Sequence, residues 1–94
     1  MLHVMAIIRV QPEHCSTVSS AMMALATKSR AEPGCVRYDV FQRRGEPVLM
    51  TQESWADAEA EAAHMSGSNV AAAFTTVGTL LAAAPEIHHY SQLA

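Results

Sequence analysis

The side chains best suited to acid–base chemistry here are five histidines, at positions 3, 14, 64, 88 and 89. Imidazole is the one side chain whose ordinary titration falls near neutral pH. His64 stands out by position. It lies at the carboxyl end of the Ala- and Glu-rich stretch Asp57 to Met65, just before Ser66-Gly67-Ser68. There it can take the proton of a phenol, or it can cap a helix end and serve stability alone. Trp55 and Phe74 are aromatic groups able to wall a pocket, although Phe74 also fits an ordinary core stripe. Tyr38 can hydrogen-bond a substrate oxygen, and Asn69 can orient a carbonyl or cap a helix. His3 borders either an interface or a pocket, and His14 reads as a solvated helix residue. His88 and His89 are adjacent on a strand and point to opposite faces, a poor arrangement for gripping one ion. No His-x-x-x-His or Cys-x-x-Cys spacing occurs, so no metal site is expected. Cys15 reads as a small apolar residue on a buried stripe, and Cys35, beside a tight turn, as the more reactive thiol.

The elements that hold these groups follow from periodicity. Leu2, Val4, Ala6, Ile8 and Val10 point one way along a strand, with His3, Met5, Ile7 and Arg9 opposite, so both faces need cover. Pro12 opens a helix, Cys15, Val18, Met22 and Leu25 recur on one side of it, and Pro33-Gly34 stops it. Val36 to Gln42 alternates, with Val36, Tyr38 and Val40 on one face and Arg37, Asp39 and Phe41 on the other. Arg43 to Pro47 is turn chemistry, and Val48 to Trp55 returns as the hairpin partner. Asp57 to Met65 forms a second helix. Ser68 or Asn69 caps a third, striped by Val70, Phe74, Val77 and Leu81 and ended by Pro85. Ile87 to Leu93 closes the chain as a strand. The order β-α-β-β-α-α-β predicts an α+β, ferredoxin-like fold in which helices cover one face of a four-stranded antiparallel sheet. The other face, carrying Met5, Ile7 and either Phe41 or Tyr38, is expected to meet a second copy in a homodimer.

Composition narrows the function classes. The 94 residues read as one domain, 1–94, with a formal charge of −3 and 16% charged side chains. Six basic residues without a run do not make a nucleic-acid surface. Two cysteines make no disulfide framework and fit reduced thiols in the cytoplasm. The uncharged stretch from Ala62 to Pro85 is too polar and Ala-rich for a membrane span. No Gly-rich phosphate loop or dinucleotide fingerprint occurs, and Ser66-Gly67-Ser68 lacks the flanks of a nucleophile elbow. Nicotinamide, flavin and acyl-enzyme chemistry therefore find no support.

Two blocks carry a family resemblance. Glu32-Pro33-Gly34-Cys35-Val36-Arg37-Tyr38-Asp39-Val40-Phe41-Gln42 resembles the central signature of the antibiotic biosynthesis monooxygenase (ABM) domain family. So does Glu53-Ser54-Trp55-Ala56-Asp57 followed by His64. The resemblance implies a dimeric α+β barrel of two ferredoxin-like protomers, each with a pocket between sheet and helices. Relatives include cofactor-free oxygenases of phenolic polyketides and quinols, haem-degrading enzymes and a group acting on a phosphorylated autoinducer. Many relatives carry a second His five residues after the first, where this chain has Asn69. Asn takes no proton at neutral pH, and basic residues near these motifs are scarce, which speaks against a two-His mechanism and against the phosphorylated substrate. The haem branch is also disfavoured: Ile7-Ile8 stands where that branch has an Asn, and Phe74-Thr75-Thr76-Val77-Gly78 lacks an axial His.

The expectation is thus a cofactor-independent monooxygenase that oxidises a small aromatic phenol or quinol with O₂. His64 is the candidate general base, and Tyr38, Trp55, Asn69 and Phe74 are the candidate substrate contacts. The alternatives are a non-catalytic dimeric small-molecule binding or stress-response module, and an isomerase or lyase of a small carbonyl compound.

Overall fold

The apolar run after Met1 forms the first strand, β1 (Leu2–Arg9), in a computed structural model that describes residues 1–94. Its alternation appears directly in burial: Val4, Ala6 and Ile8 are sealed, whereas His3, Met5 and Ile7 are only partly covered. Pro12, which has no N–H to leave unsatisfied, opens a short 3₁₀ turn over Pro12–His14. That turn leads into α1 (Cys15–Arg30), which buries Val18, Met22, Leu25, Ala26 and Ser29. Cys15, at the first position of α1, is only half-buried.

Gly34 makes the next turn possible. Its φ of +80° is a left-handed conformation, and an added Cβ would lie 2.5 Å from the Ala60 methyl. The chain then runs as β2 (Cys35–Gln42) and returns as β3 (Val48–Trp55). A second helix, α2 (Ala58–Met65), is capped by Asp57, whose carboxylate accepts the Ala60 N–H at 2.8 Å. The third helix, α3 (Ser68–Val77), follows after two intervening residues, Ser66, which caps the end of α2, and Gly67, which caps the start of α3. The last strand, β4 (Glu86–Tyr90), closes the sheet.

The sheet order is β2-β3-β1-β4, antiparallel throughout. This is the α+β, ferredoxin-like architecture with three helices on one face. The core lies between them, built from Val4, Ile8, Met22, Leu25, Tyr38, Leu49, Trp55 and Val77 among others. On the far face, Ile7, Met50 and Phe41 stand in one cross-strand row, and Phe41 is 45% exposed. Phe41, not Tyr38, is therefore the apolar residue of β2 on that side.

Four local expectations change. Val36 is exposed instead of inward-facing, because the β2–β3 register shifts between Cys35 and Arg37 and leaves Val36 as the extra residue of a bulge. The cap of α3 is Gly67, with Ser68 already helical and the Asn69 amide bonded elsewhere. The third helix ends at Gly78, well before Pro85. Leu81 leaves it to bridge Val10. The final strand stops at Tyr90, and Leu93 is 97% exposed. No helix is long and apolar enough to cross a membrane.

Candidate functional site

His64 sits in the last turn of α2, and only 2% of its side chain is exposed. What packs around it comes from two strands. Trp55, at the inward end of β3, is fully buried, and its ring lies 4.6 Å from the imidazole, centroid to centroid, at 33°. Tyr38, inward on β2, is 5.4 Å from the imidazole and meets Trp55 edge-on at 6.4 Å. These contacts fix the ring plane of His64.

A carboxylate fixes its protons. Glu32, in the turn after α1, accepts from His64 Nδ1 at 2.7 Å through Oε1 and from Asn69 Nδ2 at 2.7 Å through Oε2. An ionised carboxylate only accepts, so Nδ1 carries the hydrogen, and the lone pair of a neutral imidazole is then on Nε2. Nε2 has no hydrogen-bond partner in the chain and is not among its sealed polar atoms. The turn after α1, the end of α2 and the start of α3 thus all serve to seat one imidazole.

Two hollows meet at His64. The outer one, about 490 Å³, is a cleft lined by Glu32, Gly34, Asp57, Ser68 and Asn69. The inner one, about 270 Å³, lies between sheet and helices. Its apolar wall comprises Val4, Ala6 and Ile8 of β1, Met22 and Leu25 of α1, and Val70 and Phe74 of α3. Its polar groups are His64, Tyr38, Thr51 and Glu53. Met65 and Ile87, both exposed, place its mouth between the end of α2 and β4. Only the inner hollow has the apolar wall and few convergent polar groups that suit a small organic guest.

The residues singled out by sequence divide accordingly. His64, Tyr38 and Phe74 line the inner hollow together. Trp55 does not: it stands behind His64 as packing, with its indole N–H donated to Glu53 at 3.0 Å. Asn69 does not either, since it lies in the outer cleft and holds Glu32. The Tyr38 phenol is pushed far above the usual tyrosine range, by burial first and then by the carboxylates of Glu53 and Glu32. A phenol so held keeps its proton and is able to donate a hydrogen bond. Burial and the same two carboxylates also push the Cys35 thiol up, which removes the reason to regard it as a reactive thiolate. The other histidines lie outside the inner hollow. His3 is 2.9 Å from the Ser54 hydroxyl, and His89 is 3.2 Å from Glu61.

Sequence reasoning passed over Glu32 and Glu53. Glu53 had a usable signal, because it shares inward parity on β3 with Leu49, Thr51 and Trp55. Glu32 had none of its own, since its partners lie 32 and 37 positions away.

Comparison with known proteins gives consistent results. A family profile described as "Antibiotic biosynthesis monooxygenase" matches residues 1–76. The Bacillus subtilis (strain 168) protein named "Putative monooxygenase YcnE" is 34% identical over 91 residues, covering 90% of each chain. The crystal structure of PA3566 from Pseudomonas aeruginosa is 29% identical and superposes with a TM-score of 0.90, over 99% of this chain and 94% of that one. A crystal structure of antibiotic biosynthesis monooxygenase reaches a TM-score of 0.93 at 23% identity over the full length of both chains, a likeness of fold.

Proposed function

Because the chain belongs to the antibiotic biosynthesis monooxygenase family, we propose that it is a cofactor-independent monooxygenase of a small phenol or quinol, with His64 as general base. One observation carries this reading: an imidazole with Nδ1 tied to Glu32 borders an apolar cavity, beside a tyrosine held in its donor form.

The chemistry follows from those groups. His64 Nε2 takes the proton of a bound hydroquinone hydroxyl. The resulting anion is electron-rich and passes one electron to O₂, and the two radicals combine to form a carbon–oxygen bond. The oxygen–oxygen bond then breaks. One oxygen stays on the ring and the other leaves as water, so a hydroquinone and O₂ become a hydroxyquinone and H₂O. The guest supplies all four electrons, and the two hydrogens of the water come from its hydroxyl and carbon positions. Tyr38 donates to the oxygen on which charge develops, and the apolar wall keeps bulk water away from the anion. Phe74 packs against the ring of the guest, while Trp55 and Asn69 act one layer out, on His64 and on Glu32.

The chain acts as one domain, 1–94, and as a homodimer that buries the row Ile7, Met50 and Phe41. Two dissimilar sheet faces, one under helices and one apolar and open, favour that arrangement. Its free cysteines suit the cytoplasm.

The test is oxygen consumption with a panel of hydroquinones and anthrols at neutral pH. Uptake well above the spontaneous rate is expected, with His64→Ala lowering kcat by roughly 10²-fold or more. No uptake with any member, together with recovery of intact bound guest, points instead to a non-catalytic binding protein. An unchanged rate in the variant removes His64 from the mechanism.

A further inference from the structure

The inner hollow contains a carboxylate that the reaction above does not use. Glu53 is 6% exposed and lines the cavity. Its Oε2 accepts from Thr51 Oγ1 at 2.7 Å and its Oε1 from Trp55 Nε1 at 3.0 Å. The Thr51 oxygen also accepts the Ala6 N–H at 3.2 Å, while its single hydrogen is given to Glu53. Indole N–H only donates. Both oxygens of Glu53 therefore accept from neutral donors, and each keeps a further lone pair. No cation answers it. The ion pairs of the chain engage Glu13, Glu32, Asp39, Glu46, Glu61 and Glu86, and neither Lys nor Arg lines the hollow.

A buried charge without a countercharge is retained at a cost to stability, so its use should lie in what enters beside it. Tyr38 is its cross-strand partner, so the cavity sets a donor next to an acceptor. We infer that Glu53 makes the cavity charge-selective. It accepts a hydrogen bond from a hydroxyl of an uncharged aromatic guest and turns away guests carrying a carboxylate, sulfonate or phosphate. The inference deepens the proposed reading of this cavity and rests on it. A second negative charge within a few ångströms, in a poorly screened interior, weakens binding by an order of magnitude or more.

The test is calorimetric titration under nitrogen with three probes: 1,4-dihydroxynaphthalene, its 2-carboxamide and its 2-carboxylate. The first two are expected to bind, and the carboxylate to bind at least about tenfold more weakly than the carboxamide, or about 1.4 kcal/mol. Glu53→Gln should close that gap to within about threefold. Glu32→Gln should keep it, because Glu32 faces His64 and Asn69. This second variant keeps the assignment falsifiable should Glu53→Gln fail to fold. Equal binding of carboxylate and carboxamide to the unmodified protein overturns the inference. So does a gap that disappears in Glu32→Gln, or failure of all three probes to bind. Admitting air then separates the two readings. Charge-selective binding without oxygen uptake sinks the oxygenase and leaves the selectivity. Oxygen uptake that is equal with the carboxylate and the carboxamide does the reverse.

Discussion

Glu32 and His64 stand 32 positions apart in the chain and 2.7 Å apart in space. The carboxylate comes from the turn after α1 and the imidazole from the end of α2. Their meeting depends on the Pro33-Gly34 turn, because only a residue without a side chain lets α2 approach this closely.

Removing that carboxylate should be felt in stability as well as activity. Glu32→Ala leaves His64 Nδ1 and Asn69 Nδ2 without their acceptor. A loss of about 1–3 kcal/mol is expected in urea unfolding, the usual cost of orphaning buried donors. Asn69→Ala should couple to it, with a double-mutant interaction of about 0.5–3 kcal/mol. Strict additivity would show that Asn69 does not act through Glu32.

Gly34→Ala meets two penalties. The left-handed backbone costs about 1–2 kcal/mol for a non-glycine residue, and the new methyl collides with Ala60 Cβ at 2.5 Å. The collision exists only when both methyls are present. The double variant with Ala60→Gly should therefore lose less than the two single losses added together. Thermal unfolding of the four proteins decides it, and full additivity would mean that the collision is relieved by a backbone shift.

Tyr38 predicts a defined alkaline sensitivity. Its folded-state phenol is held above the ordinary value of 10.0. Below about pH 10 both folded and unfolded forms keep the proton, and this group adds no slope. Above it the unfolded chain releases the proton while the folded one retains it. Stability then falls by up to about 1.4 kcal/mol per pH unit. Tyr38→Phe should flatten this decline, as followed by urea unfolding between pH 9 and 11.5. An unchanged slope would mean that the phenol ionises freely in the fold.

The open sheet face gives a prediction independent of chemistry. Sedimentation at micromolar concentration should give twice the 10.1 kDa mass of the chain. Phe41→Lys combined with Met50→Lys puts two charges into the Ile7–Met50–Phe41 row and should yield folded monomer. A wild-type monomer, or a variant that remains dimeric, would move the interface elsewhere.

Much of the architecture was readable from local pattern. The alternation in Leu2 to Val10 and the helical recurrence of Val18, Met22 and Leu25 correspond to the buried positions. Where local pattern failed, a non-local event intervened. The bulge at Val36 is a mismatch between two strands, and neither strand carries it alone. The early end of α3 reflects Leu81 pairing with Val10, 71 positions away in sequence by their numbers.

The candidate site divides along the same line. Residue types and periodicity by themselves determined a sheet with helices on one face, and they marked His64, Tyr38, Trp55, Asn69 and Phe74 alike as residues of chemical interest. They did so because burial and amphipathic spacing are short-range properties, written within a few residues of one another. Tertiary structure alone decided that Trp55 lies behind the imidazole and that Asn69 serves Glu32. It also placed an uncompensated carboxylate, Glu53, in the cavity wall. Hydrogen bonds and like-charge proximity act over a few ångströms, and only the folded chain brings positions so distant in sequence within that range.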